Sequence, residues 1–135
     1  MATIEITCQD HSCCEAVHAA SGQRLKAALQ PAGTPGSPTF SPTDLLAAAF
    51  GVSLAIRLRE AAESELLDLT GMRIKVTKEL TDEQDEFIGR LSAVVEMPIQ
   101  LTSGMKAALE RAARTCPVKE SLRAEIETAV RFQFM

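Results

Sequence analysis

Residues 40–55 decide the fold of this chain, and they read FSPTDLLAAAFGVSLA. Ser41 can accept a hydrogen bond from the free N–H groups at a helix start, Pro42 suits the first helical position and Asp44 complements the helix dipole. No charged residue occurs from position 45 to position 56. Because a helix that is apolar on nearly all sides must be surrounded by protein, the sequence predicts a buried central helix over about 42–63.

Three short extended segments precede this helix and predict an N-terminal meander. They cover residues 2–8, 13–19 and 24–29, with turns at 9–12 and at Ser21-Gly22. Gly33, Pro35, Gly36 and Pro38 break regular structure before the helix. We therefore expect a surface loop there rather than a domain boundary.

The residues after Gly71 change to a period of two, which is typical of strands. Met72, Ile74 and Val76 alternate with polar side chains, and a second strand is predicted over 87–97, so the acidic run at 82–86 becomes a solvated hairpin loop. The alternation over residues 126–134 predicts a final strand. Strands and helices in this order indicate an α+β fold.

A second helix is predicted between these strands. Thr102 or Ser103 can cap it, and Pro117 ends it. Four apolar side chains at helical spacing predict its inward stripe: Met105, Ala108, Leu109 and Ala112.

Length and composition bound the class of protein. The chain has 135 residues, which fits one domain, and a net charge of −4 with neither Trp nor Tyr. It therefore lacks the basic footprint and most of the stacking side chains of nucleic-acid binding. It shows no export signal at its start and no apolar stretch of the roughly 20 residues that cross a bilayer. We expect a cytoplasmic protein with no nucleic-acid or membrane partner, whose four cysteines stay mostly reduced.

These motifs resemble the OsmC/Ohr family of bacterial peroxide-detoxifying and osmotically induced proteins. The central helix of that family reads like SP-x-(E/D)-LL-x-AA-x-G-S-C, and a second cysteine lies in a C-P-V element. The matching stretches here are SPTDLLAAAFGVS at 41–53 and Cys116-Pro117-Val118, with further similarity at Ser21-Gly22, 69–72, 88–91 and 108–118. The resemblance implies two helices packed on a curved antiparallel sheet, in an intertwined homodimer with its site at the subunit interface.

The resemblance also implies the site residues. Aligned on Pro42 and Gly51, the peroxidatic cysteine position is occupied by Ser53 and the second cysteine position by Cys116. The acidic residue of the family's polar network corresponds to Asp44, although a charge that complements the helix dipole is a sufficient role for it. The Ohr branch commonly polarises the peroxide with an arginine, and Arg24 lies in the matching N-terminal region.

Serine cannot replace the missing thiol. A thiol peroxidase needs a thiolate to attack the O–O bond and a second thiol to convert the resulting sulfenic acid into a disulfide. A serine hydroxyl needs an adjacent base, and neither His11 nor His18 offers a recognisable one. Two hypotheses follow. The chain handles hydroperoxides through Cys116 or Cys14, or it is catalytically degenerate and binds a small hydrophobic ligand or partner in an apolar interface pocket.

Each candidate residue also has a plain structural interpretation. Ser53 can hydrogen-bond the carbonyl one helical turn earlier. Cys116 is either a reactive thiol, favoured by free N–H groups after Pro117, or a small buried hydrophobe. If the family geometry is kept, Ser53 and Cys116 should lie at disulfide distance, with Cα atoms roughly 4.4–6.8 Å apart. The walls of the pocket would then include Phe50, Leu54 and Met105.

The remaining cysteines and histidines do not predict a metal site. The spacing of Cys8, Cys13 and Cys14 relative to His11 and His18 matches no zinc signature. Cys13 and Cys14 are adjacent, so in a strand they point to opposite faces. We predict neither a metal nor a cofactor.

Overall fold

The computed structural model describes residues 1–8, 10–29, 39–82 and 87–134. Their elements, in chain order, are β1 (Ile4–Cys8), β2 (Cys13–His18), β3 (Arg24–Ala28), α1 (Pro42–Ser64), β4 (Arg73–Leu80), β5 (Ile88–Met97), α2 (Ser103–Ala113), α3 (Pro117–Ser121) and β6 (Glu127–Phe134). The α+β class is confirmed. The loop expected at 33–38 and most of the acidic hairpin loop lie outside the described residues.

Helix α1 begins as its sequence predicts. Ser41 accepts a hydrogen bond from the Asp44 N–H, and the Asp44 side chain accepts one from the Ser41 N–H, which completes a capping box. One face of α1 is buried in the core, at Ala47, Phe50, Gly51, Ser53, Leu54, Leu58 and Ala62. The opposite face is not covered within the chain, because Val52 is 62 % exposed. Coverage of this face by a second chain stays a prediction.

The N-terminal meander is confirmed as an antiparallel sheet in the order β1-β2-β3. Every residue of β1 is exposed, including Ile4 and Ile6 on the same face. A bridge between Ala27 and Phe40 joins this sheet to the start of α1, with a hydrogen bond of 2.7 Å from the Ala28 N–H to the Phe40 carbonyl.

The second sheet has the order β4-β5-β6 and supports the helices. The predicted hairpin of β4 and β5 is confirmed and antiparallel. The expectation of an antiparallel sheet is wrong for β6, which pairs with β5 in parallel. The physical reason is the connection: α2 and α3 return the chain to the end of the sheet where β5 began, as a parallel crossover requires.

Strand β5 forms the centre of the core. Leu91, Ala93, Val95 and Met97 alternate inward and are almost fully buried beneath α1. Glu96 is a buried carboxylate opposite Arg73, whose Nε donates a hydrogen bond of 2.9 Å to its Oε2, and Lys75 Nζ lies 3.0 Å from its Oε1. The hydrogen bonds from Lys75 and then Arg73 lower the pKa of Glu96 against the opposing effect of burial. These contacts fasten β4 to β5.

Helix α2 is capped by Thr102, as predicted, and packs against α1. Its fully buried residues are Leu109 and Ala113, whereas Met105 and Ala112 are only half-buried. The last inward residue of α2 is therefore Ala113 rather than the predicted Ala112. Within the described part of the chain, no helix has the length and apolar character needed to span a bilayer.

Candidate functional site

Ser53 lies in the middle of α1 on its buried face. It is 8 % exposed, with the core side chains Phe50 and Leu54 beside it on the helix. The predicted burial is confirmed. On another face of α1 the helix packs closely against β4: a Cβ added at Gly51 would lie 3.0 Å from Val76 Cγ2.

The Ser53 hydroxyl does not make the expected bond to the carbonyl one turn earlier. Ser64 and Ser121 make this bond, with Oγ 3.4 Å from the Glu60 carbonyl and 2.7 Å from the Pro117 carbonyl. Among the described residues, Ser53 Oγ has no hydrogen-bond partner. A buried hydroxyl without a protein partner carries a desolvation cost.

Cys116 is 1 % exposed and occupies the N-cap position of α3. Its sulfur accepts a long contact of 3.5 Å from the Lys119 N–H. The new helical turn after Pro117 is thus confirmed, and its Lys119 N–H points toward the sulfur. The burial of Cys116 fits the packing interpretation, and the reactivity of its thiol stays a prediction.

Arg57 links the helix that carries Ser53 to the segment that carries Cys116. It lies one turn beyond Ser53 on the same side of α1, and its Nε donates a 3.0 Å hydrogen bond to the carbonyl of Thr115, the residue before Cys116. The face of α1 that carries Ser53 is therefore turned toward the junction of α2 and α3. Sequence reasoning missed this contact because a main-chain carbonyl leaves no signal in the side-chain pattern.

The three predicted wall residues lie in different environments. Phe50 and Leu54 are fully buried in the core. Phe50 also lines a cavity of about 250 Å³ together with Arg114 and Lys119. Met105 is half-buried in the first turn of α2, where its N–H is bonded to Thr102.

Asp44 forms a polar cluster that includes a residue absent from the sequence-based site. Lys78 Nζ lies 3.0 Å from its carboxylate, 3.1 Å from Ser41 Oγ and 2.5 Å from Thr43 Oγ1. The Ser41 N–H and then Lys78 lower the pKa of Asp44 below its ordinary value of 3.8, although partial burial opposes them. The signal was available: Lys78 falls on the inward positions of β4, after Ile74 and Val76.

A large groove begins at this polar cluster and runs along the exposed face of α1. Its first part is a cavity of about 820 Å³ between α1 and β4, and the adjoining part is a cavity of about 530 Å³. Val52, Ala55 and Met72 line both parts. The groove is mainly apolar, with Asp44 and Lys78 at one end.

Arg24 and the histidines lie elsewhere. Arg24 is paired with Glu15 across the N-terminal sheet. His18 Nδ1 is 2.6 Å from Ser21 Oγ in the turn after β2. His11 is an exposed residue of the turn before β2. None of the three is bonded to the Ser53 region, so within the described residues Ser53 has no adjacent base.

All four cysteines are free. Cys8 is exposed at the end of β1, while Cys14, on β2, is 8 % exposed. Cys13 lies on the other face of β2, as its adjacent position requires. In the part of the chain that the structure describes, no three His, Cys, Asp or Glu side chains are grouped to hold a metal ion.

Comparisons with known proteins agree with this architecture. A family model described as "OsmC-like protein" matches residues 33–131. A candidate osmotic stress induced and detoxification response protein from Psychrobacter arcticus 273-4 superimposes with a TM-score of 0.88 at 22 % identity, over 98 % of this chain and 96 % of that chain. A search of curated protein sequences gives no match.

Two further structures extend the comparison. The OsmC-like protein from Mycoplasma pneumoniae has a TM-score of 0.80 at 13 % identity, over 100 % of this chain and 97 % of that chain. The organic hydroperoxide resistance protein OhrB of Bacillus subtilis has a TM-score of 0.66 at 15 % identity, over 97 % and 98 %. At these identities the structures show a shared fold.

Proposed function

Because the chain belongs to the family of OsmC-like proteins, we propose that it is a degenerate relative of the thiol-dependent hydroperoxide reductases of the stress response. Structures with the same fold include proteins named for organic hydroperoxide resistance. In this chain the first reactive position holds Ser53, so the family's chemistry stops before its first step. A cytoplasmic location is part of the proposal, since four free cysteines suit a reducing compartment.

The observation that carries the proposal is the environment of Ser53. Its hydroxyl is buried, has no hydrogen-bond partner among the described residues and has no adjacent base. An unactivated hydroxyl neither attacks an O–O bond nor forms a sulfenic acid. Cys116 remains, but with serine at position 53 it has no second sulfur there with which to close a disulfide.

The test is hydroperoxide turnover by the unmodified protein with a dithiol reductant. We expect hydrogen peroxide and cumene hydroperoxide to be consumed no faster than by an equal concentration of a simple free thiol. Fast turnover that is lost in Cys116→Ser or in Cys14→Ser would contradict degeneracy and would identify the sulfur that has taken over the attack. Cys13→Ser is the matched control for the effect of removing any one thiol.

The groove supports a second candidate function, the binding of a small hydrophobic ligand. Its apolar lining offers burial to such a molecule, and Lys78 and Asp44 provide a polar end that would fix its orientation. Catalysis is not required for this role, so the loss of the thiol at position 53 would leave it intact.

A matched pair of variants tests this candidate with the uncharged fluorescent apolar probe Nile red. Val52→Lys introduces a charge into both parts of the groove, whereas Leu66→Lys makes the same change at an exposed site outside these two cavities. We expect Val52→Lys alone to weaken probe binding by about tenfold, since a charge in an apolar site costs more than 1.4 kcal/mol. Equal binding by both variants would exclude the groove as the site.

We also propose that the chain forms a homodimer. Two apolar surfaces support this: the exposed face of α1 at Val52 and Ile56, and the face of the N-terminal sheet at Ile4 and Ile6. Monomeric proteins seldom leave such contiguous apolar patches open, and a symmetry-related copy would cover both. The candidate site would then lie next to the subunit interface.

A further inference from the structure

Cys8 and Cys14 face each other directly across the hairpin of β1 and β2. The register pairs Cys8 with Cys14, Thr7 with Glu15 and so on to Ile4 with His18. The Ala19 N–H donates a 3.0 Å hydrogen bond to the Thr3 carbonyl, so residues 3 and 19 form a hydrogen-bonded pair of the ladder. Because such pairs alternate with non-hydrogen-bonded pairs, Cys8 and Cys14 occupy a non-hydrogen-bonded position.

This position brings the two sulfurs within reach of each other. Directly opposite residues at a non-hydrogen-bonded site have Cα atoms about 4.5 Å apart and side chains on the same face. Disulfides form at Cα separations of roughly 4.4–6.8 Å, so no movement of the strands is required. The turn is held in place by Asp10, whose carboxylate accepts hydrogen bonds from the N–H groups of Ser12 and Cys13, at 2.7 and 3.1 Å.

From this geometry we propose that Cys8 and Cys14 are a redox-active dithiol that closes to a reversible cross-strand disulfide when the protein meets a hydroperoxide. Cys13 takes no part, because it points to the other face of the sheet and its neighbour across the strands is Ala28. The site is independent of Ser53 and of the degeneracy proposed above. It makes the hairpin a site of oxidative modification.

The two sulfurs have different roles. A hydrogen bond with Cys8, followed by burial, raises the pKa of Cys14 to about 11, so Cys14 keeps its proton at neutral pH. Cys8 is exposed in the single chain and lies at the turn end of β1, beyond the Ile4 and Ile6 surface assigned to the dimer, so it is the sulfur that a hydroperoxide can reach. Cys8 loses its proton to water and its thiolate attacks the O–O bond, which breaks; the sulfur becomes sulfenic acid, and the leaving oxygen takes up a proton from water and departs as an alcohol, or as water from hydrogen peroxide.

The second step closes the pair. The Cys14 sulfur attacks the sulfenic sulfur, the S–S bond forms, and the sulfenic oxygen leaves as water with the Cys14 proton. Two thiols have then lost two electrons to one O–O bond. A cellular dithiol reductant reverses the change by thiol–disulfide exchange, which an exposed disulfide permits.

Peptide mapping tests the pair in the full chain. The reduced protein is treated with one equivalent of hydrogen peroxide, its free thiols are alkylated, and it is cleaved before Asp10, which separates the Cys8 peptide from the Cys14 peptide. We expect a linked product that dithiothreitol splits, with the loss of two of the four thiols. No linked product, or a product linked between two chains, would overturn the proposal.

Three variants assign the partners. Cys13→Ser should give the same linked product as the unmodified protein, whereas Cys8→Ser and Cys14→Ser should give none. A Cys14→Ser variant that still links Cys8, now to Cys13, would show that the register does not select the partner and would overturn the proposal. Cys8 is exposed, so Cys8→Ser keeps the test decisive even if the buried Cys14→Ser change impairs folding. Turnover in the Ser53 experiment is a separate readout, so either proposal can fail alone.

Discussion

A thiol peroxidase needs a protected site and two thiols within reach of each other. In this chain the α1–α3 region has the first property and the β1–β2 hairpin has the second. The α1–α3 region is buried, with Cys116 1 % exposed at a helix start and Ser53 on the facing side of α1. This region shields its thiol from solvent but contains only one sulfur. The hairpin offers two sulfurs in register, Cys8 and Cys14, of which one is exposed to solvent.

Burial and pairing of thiols are therefore separable properties of this chain. A buried thiol without a partner is a packing residue that behaves as a small hydrophobe. A paired thiol at a strand end reacts at an ordinary rate but has a built-in route to a disulfide.

The largest effect is expected for Ser53→Cys, which returns the second sulfur to the buried region. If the surroundings of this position are retained, hydroperoxide turnover with a dithiol reductant should rise by orders of magnitude, because a thiolate there can attack and Cys116 can resolve the sulfenic acid. The measurement is the initial rate of cumene hydroperoxide consumption.

Ser64→Cys is the matched control, since it adds a cysteine to the exposed end of the same helix. It should leave the rate near that of the unmodified protein. If Ser53→Cys is equally inert, the surroundings have decayed as well as the nucleophile, and the binding function becomes the only one of the two to retain support.

A twofold effect is expected in mass. Light scattering at micromolar concentration should give twice the chain mass of 14.5 kDa. Ile6→Lys, on the exposed apolar face of β1, should shift the protein toward monomer, while Thr7→Lys on the opposite face should not. If the unmodified protein stays monomeric at high concentration, neither region lies at a subunit interface and the homodimer proposal is contradicted.

Much of the scaffold could be predicted, because it depends on local signals. The capping box of Ser41 and Asp44, the hairpin of β4 and β5 and the turn after Pro117 all follow from residues close in sequence. The parallel pairing of β6 could not be predicted, since alternation gives a strand its faces and leaves its direction open.

The site was less predictable because its contacts join distant segments. Lys78 meets Asp44 only after β4 packs on α1. The cysteine pair depends on register: a four-residue turn at 9–12 would set Cys8 opposite Cys13, whereas the observed ladder sets it opposite Cys14. A shift of one residue changes the face of the sheet and therefore the chemistry.

A smaller effect is expected for Asp44→Asn, which tests the polar cluster at the end of the groove. Losing the charge of the capping box and part of its screened contact with Lys78 should lower the free energy of unfolding by about 1 kcal/mol at neutral pH. The pKa of Asp44 is lower in the folded protein than its ordinary 3.8. The stabilisation is therefore present above that value and is lost as the pH falls through the folded pKa.

Urea unfolding at neutral pH and at a pH of about 3 measures this difference. The difference in the free energy of unfolding between the unmodified protein and Asp44→Asn should be smaller at the lower pH. Glu63→Gln is the control, because its ion pair with Arg59 is exposed and contributes little. A gap that stays constant with pH would mean that the charge of Asp44 does not stabilise α1.

The most direct test of the account is to let the two regions compete for one oxidant. The unmodified protein and Ser53→Cys each receive one equivalent of hydrogen peroxide, and their disulfides are mapped at successive times. We expect only the 8–14 disulfide in the unmodified protein, and a 53–116 disulfide that forms first in Ser53→Cys. A fast disulfide at Cys116 in the unmodified protein, or no 53–116 disulfide in the variant, would contradict it.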